Sequence, residues 1–196
     1  MAAMDGREDM SRTSPAAKLT HDDFLSFPDD GLRHELIDGE HYVTPSPSTK
    51  HQRVSRELLL ELGNYLRAHA IGEVFGAPFD VVLSFHDVVE PDLLVVLSEQ
   101  SEILTPTHVK GAPAILVAIL SPGTRRIDER IKRALYDRVG VQEYWLVDPD
   151  RDEITSCRRS HAGALDVETR LARASGDLLT SPLLPEFSVQ LGTLFR

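Results

Sequence analysis

Two apolar runs, residues 88–97 and 114–120, constrain what this chain can fold into more than anything else in it. Both are rich in Val, Leu and Ile over strand-like lengths, without regular alternation of polar and apolar residues. A strand that is apolar on both sides must be covered on both faces, so the two are expected as neighbouring central strands with other elements packed above and below. Residues 79–85 read as another strand of this kind, and residues 141–147 as a fourth that Asp148-Pro149 breaks.

Elements able to cover such a sheet are also legible. Between 48 and 69, Val54, Leu58, Leu62, Tyr65 and Leu66 recur at helical spacings, giving an amphipathic helix that Gly72 closes. Thr124 can cap a second helix, with Ile127, Ile131, Leu135 and Val139 as its apolar stripe and Gly140 as its stop. Thr20 with Asp23 resembles a capping box that starts a short helix. Asp38-Gly39 is a two-residue turn between 33–37 and 40–43, which predicts a hairpin. Segments around 152–159 and 164–171 are expected as edge strands. The sum is an α/β domain: a mixed sheet flanked by helices, with an N-terminal hairpin and edge strands. A length of 196 residues, 41% of them apolar, suits one such domain, expected over 19–196 behind a flexible tail over 1–18.

Composition removes several function classes. No apolar stretch is long enough for a membrane-spanning helix and no signal-peptide core is visible, so a cytoplasmic protein without membrane contact is expected. Cys157 is the only cysteine, which rules out an internal disulfide and a thiolate cluster; it is expected at the surface. A net charge of -10 argues against broad electrostatic coating of nucleic acid, so any such contact must be local. Residues 125–138 hold six basic side chains against three acidic ones and form the best phosphate-facing patch, with Arg125, Arg126 and Arg130 as candidate substrate contacts. A solvated helix face is the alternative for the same charges.

Asp92 follows Pro91 and precedes four apolar residues, which places a carboxylate at the start of a buried strand, as a chemical group or as a loop cap. Asp128, Lys132 and Tyr136 are four apart and line one helix face as a polar row. Ser121 has no histidine nearby in sequence to activate it, so a serine hydrolase is not supported; the residue turns a strand into a helix. Tyr144 and Trp145, in the middle of a strand, read as core or interface residues.

The stretches Arg33-His34-Glu35-Leu36-Ile37-Asp38-Gly39-Glu40, Pro45-Ser46-Pro47 with His51, Val89-Glu90-Pro91-Asp92-Leu93, Ile119-Leu120-Ser121-Pro122-Gly123-Thr124 and Gly140-Val141-Gln142-Glu143-Tyr144-Trp145 occur in that order. Together they resemble the Uma-two family of restriction-endonuclease-like proteins, a branch of the PD-(D/E)xK nuclease superfamily, over about residues 19–195. The resemblance implies Mg²⁺, with Mn²⁺ as a substitute, hydrolysing phosphodiester bonds of DNA in a homodimer. It implies Asp92 as a metal ligand, the Ile119 carbonyl as another, Lys132 as organiser of the attacking water, and Glu35 as an auxiliary acid. The family's second acidic ligand falls where this chain has Ala118, whose methyl group offers no oxygen to a cation.

Two functions follow. One is a metal-dependent DNA endonuclease scaffold, with catalytic Glu35, Asp92 and Lys132, impaired by Ala118. The other is a non-catalytic nucleic-acid-binding or dimerisation module derived from that fold.

Overall fold

A computed structural model describes residues 17–196; the tail expected over 1–18 lies outside the described residues apart from Ala17 and Lys18. The elements run, in chain order, α1 (His21–Phe24), β1 (Arg33–Ile37), β2 (Glu40–Thr44), α2 (Thr49–His69), β3 (Gly72–Gly76), β4 (Val81–Ser84), β5 (Asp87–Val89), β6 (Leu93–Leu97), β7 (Val109–Lys110) and β8 (Ile115–Ile119). A π-helical segment, Ile127–Lys132, leads directly into α3 (Arg133–Val139). Then come β9 (Glu143–Asp148), β10 (Glu153–Arg158), β11 (Val167–Ala172), β12 (Leu178–Ser181), β13 (Leu184–Gln190) and α4 (Leu191–Leu194).

The strands form a six-stranded mixed sheet in the order β11-β10-β9-β8-β6-β3, a five-stranded sheet in the order β2-β1-β5-β4-β7, and the pair β12-β13. β6 and β8 are antiparallel neighbours at the centre of the larger sheet, as their apolar sequences require. β8 and β9 run parallel, and their connection is the helical stretch that includes α3. One face of this sheet packs Val54, Leu58, Leu62 and Leu66 of α2 against Leu93, Val95, Ile115, Val117 and Trp145. The other face packs Leu94, Leu116, Ala118 and Tyr144 against Leu135 and Tyr136 of α3 and against Ile37, Val81 and Val89 of the smaller sheet. The α/β architecture and the double coverage of the central strands are as expected.

Local chemistry explains most boundaries. The Thr20 capping box is complete. Ser48 caps α2 by accepting from His51 N–H at 3.2 Å. Asp38 and Gly39 both take positive φ, +51° and +76°, so the β1–β2 hairpin turns over two left-handed residues.

Five expectations change. The strand in 79–85, expected beside the other two apolar runs at the centre of one sheet, is β4 of the smaller sheet, between β5 and β7. The run 88–97 is not one strand: Glu90-Pro91-Asp92 divides it into β5 of the smaller sheet and β6 of the larger, because proline cannot donate to a ladder. Gly72 does not end α2; Ala70 takes the left-handed position, and Gly72 opens β3, where a Cβ would sit 2.5 Å from the Val96 carbonyl oxygen. Cys157 is buried, not at the surface. The helix after Thr124 buries Asp128, Lys132 and Tyr136 together with Leu135 and leaves Ile127 and Ile131 only half-buried, so the apolar stripe read from the sequence is not the innermost face.

Leu116 is fully buried at the centre of this packing, whereas Leu60 on the outer side of α2 is 51% exposed. Leu116→Ala is expected to lower stability by about 2–5 kcal/mol, and Leu60→Ala to change it by less than about 0.5 kcal/mol. Urea denaturation of the two variants beside the parent chain measures both.

Candidate functional site

The break at Pro91 determines where chemistry can occur. Asp92 N–H still donates to the Val117 carbonyl at 3.0 Å, so the chain enters the larger sheet here, and its carboxylate Oδ2 accepts the Ile119 N–H at 2.7 Å. The pairing of Leu93 with Val117, extended by one residue, sets Ala118 across from Asp92. The position at which the resemblance expects a second acid is therefore beside the Asp92 carboxylate. The Ala118 methyl group is buried among Leu94, Leu116, Tyr136, Tyr144 and Leu146.

The other oxygen of Asp92, Oδ1, takes Arg33 Nη1 at 2.9 Å and lies 3.3 Å from His51 Nε2. Burial would raise the Asp92 carboxyl, but the His51 ring, the Arg33 guanidinium and the Ile119 N–H outweigh it and hold the group below the usual carboxylate range. Arg33 is shared, because its Nε contacts Glu90 Oε1 at 2.6 Å. Burial pushes the Glu90 carboxyl up to about 7 even against Arg33.

Glu35 sits two residues beyond Arg33 on β1 and so on the same face of the strand. Its Oε1 accepts the Glu90 N–H at 2.8 Å and its Oε2 holds Lys132 Nζ at 2.8 Å. Lys132 Nζ is also 3.2 Å from Asp128 Oδ1, one turn earlier. Burial alone would discharge this lysine; Glu35 and Asp128 outweigh it and hold the ammonium above its ordinary pKa. Burial raises the Asp128 carboxyl despite Lys132.

Asp92, His51, Arg33, Lys132 and Asp128 all line one cavity of about 410 Å³, whose far wall is the turn from Ile119 to Thr124. The structure thus brings Glu35, Asp92, Lys132, Ala118 and Ile119 into one neighbourhood. It does not bring the arginine patch there. Arg125 is occupied by Asp148 at 2.8 Å and Glu129 at 3.2 Å, while Arg126 and Arg130 are exposed, and none of the three lines the cavity.

Two site residues, His51 and Arg33, had not been singled out from sequence as partners of Asp92 and Lys132. His51 lies three residues before Val54, on the stripe that α2 buries, and a histidine on an apolar stripe was the available signal. Arg33 carried only its alternation with Glu35. Asp128 was read as part of a polar row beside the core; the π-helical segment turns it inward, and such segments recur at functional positions.

Oxygen donors of the kind Mg²⁺ takes are present, and four carboxylates, Glu35, Glu90, Asp92 and Asp128, face two cationic side chains, Arg33 and Lys132. That surplus fits a bound dication. Among the described residues, however, no three His, Cys, Asp or Glu side chains converge as a ready metal cage. The cluster fits an open cation site with few protein ligands, completed by water or substrate, and not a closed structural one.

Residues 21–192 match the model of the family described as "Uma2: Putative restriction endonuclease". Among solved structures, the fold is similar to "a putative nuclease belonging to DUF820" from Anabaena variabilis, with a TM-score of 0.76 at 20% identity, covering 90% of this chain and 97% of that one. Comparison with curated proteins gives no match.

Removing Lys132 leaves two buried carboxylates facing each other without a counter-charge. Lys132→Met is therefore expected to destabilise the fold by about 3–5 kcal/mol, and Glu35→Gln in the same background to recover part of that loss. A double-mutant cycle by chemical denaturation measures the coupling.

Proposed function

The chain belongs to the Uma2 family, and from that premise we propose that it is an endonuclease scaffold for metal-dependent hydrolysis of DNA phosphodiester bonds, with reduced activity because of Ala118. The observation that carries the reading is the convergence of Asp92 and Lys132 on one cavity from a strand start and a helix, with Glu35 fixed between Lys132 and the backbone of Glu90.

Each residue has work suited to its surroundings. Asp92, held ionised and oriented by the Ile119 N–H, offers Oδ1 to the cavity, and with the Ile119 carbonyl it would hold Mg²⁺ or Mn²⁺. The cation, when bound, supplies polarisation of the phosphate and a lowered pKa for a bound water. Lys132 keeps its proton because two carboxylates confine it, so it can balance charge that develops on the phosphate and orient a water. Glu35 sets the position of that ammonium and is itself set by the Glu90 N–H, so the hairpin acts on the site through Lys132. Ala118, across from Asp92, provides no second carboxylate. DNA as substrate, and a homodimer as the assembled form, belong to this proposal on the strength of the family resemblance.

One observation favours a second reading, a binding module without catalysis: the Ala118 methyl is packed with apolar neighbours where a ligand oxygen is needed, and Arg33 already neutralises Asp92. The two separate in one experiment. Under the first reading Ala118→Glu raises divalent-cation-dependent cleavage of a DNA substrate at least tenfold over the parent chain. A folded Ala118→Glu protein that binds Mn²⁺ yet cleaves no better would overturn it, and binding of DNA unaffected by chelator in both proteins is the result the second reading expects.

A further inference from the structure

We infer that His51 is a nitrogen ligand for a divalent cation at Asp92, so that this chain holds the ion through a histidine–aspartate pair and takes Mn²⁺ in preference to Mg²⁺. The inference deepens the nuclease-site reading and rests on it for the presence of an ion.

His51 is 9% exposed, at the first turn of α2, and its ring lines the same cavity as Asp92. Its hydrogen-bonding is incomplete. Among the described residues Nδ1 is buried without a partner, and Nε2 lies 3.3 Å from Asp92 Oδ1, longer than a good N–H···O⁻ contact. A buried imidazole with so little satisfied is expensive to keep for structure alone. As a ligand pair the same spacing is natural, because two donor atoms about 2.1 Å from one ion at right angles stand ~3 Å apart. Coordination through Nε2 places the imidazole proton on Nδ1, which then takes a water or backbone oxygen as acceptor.

Charge and geometry around the pair agree with an added cation. Arg33 shares Asp92 Oδ1, but its Nε stays with Glu90, and Lys132 is held by Glu35 and by Asp128, which lines the same cavity. The loss of an oxygen ligand at Ala118 leaves a donor set with one imidazole and one carboxylate plus the Ile119 carbonyl. Mg²⁺ is a hard ion that prefers oxygen and sheds water reluctantly, whereas nitrogen donors favour the first-row transition ions, whose affinity rises from Mn²⁺ onward.

The full chain is titrated calorimetrically with MnCl₂ and MgCl₂, and the Mn²⁺-loaded protein is measured by pulsed electron paramagnetic resonance for coupling to ¹⁴N. The same is done for His51→Ala and His51→Gln, with circular dichroism as the folding control. The expected result is Mn²⁺ binding at least tenfold tighter than Mg²⁺, a ¹⁴N coupling in the parent chain, and loss of that coupling with at least a tenfold weaker Mn²⁺ affinity in both variants. Absence of ¹⁴N coupling in the parent, its persistence in a folded variant, or no binding of Mn²⁺ overturns the inference. Cleavage gained by Ala118→Glu without ¹⁴N coupling in the parent would leave the nuclease reading standing alone; coupling without any gained cleavage would leave His51 as a ligand and remove the nuclease reading.

Discussion

The buried ammonium of Lys132, confined between Glu35 and Asp128, is the interaction on which the two halves of the structure depend. Glu35 comes from β1 in the smaller sheet, and Asp128 and Lys132 from the helical stretch that links β8 to β9 in the larger one. Glu35 also accepts the Glu90 N–H, at the junction where the chain leaves one sheet for the other. Removing three charged groups from water is unfavourable, and their mutual attraction repays it only when the geometry is good. The contacts at 2.8 and 3.2 Å meet that condition, and all three side chains are buried, which strengthens them.

That requirement accounts for the helix that carries the lysine. A regular helix with Ile127, Ile131, Leu135 and Val139 inward would leave Asp128 and Lys132 on its flank. The π-helical segment over Ile127–Lys132 instead buries Asp128 and Lys132 and leaves the two isoleucines half-buried, after which regular winding places Leu135 and Tyr136 in the core. Tyr144 on the facing strand donates to the Asp128 carbonyl at 3.2 Å, one of the interactions that compensate backbone groups where the winding is irregular. Packing energy is given up at Ile127 and Ile131 so that the ionic cluster is complete.

How much of this was legible depends on whether the determining signal is local. The central strands, the capped helix α2 and the Asp38-Gly39 hairpin follow from periodicity and turn chemistry carried within a few residues. The helix 127–139 was predicted in position but not in facing, since the partner that turns Lys132 inward is Glu35, nearly a hundred residues earlier. Cys157 was expected outside because a lone thiol carries no directional signal; on β10 it joins the apolar cluster of Leu135, Tyr144 and Leu165. Asp92 and Lys132 stand out from local pattern and Glu35 only through a resemblance, whereas Arg33 and His51 meet Asp92 only once the hairpin and α2 are folded against the sheet. The arginine patch lies outside the cavity, and counting charges does not say which are already paired, as Arg125 is.

Ala118 is best understood through the charges that surround it. A second carboxylate across from Asp92 would add a fifth negative group to a cluster where four already face Arg33 and Lys132, and where burial already pushes the Glu90 and Asp128 carboxyls up. Such a cluster could fold without a bound cation only with protons on some of its acids. With alanine there, the methyl joins the apolar cluster and the acids present are faced by Arg33 and Lys132. On the proposed reading, alanine at 118 spares the cluster a fifth buried acid while the cavity, the oriented Asp92 and the confined Lys132 stand together.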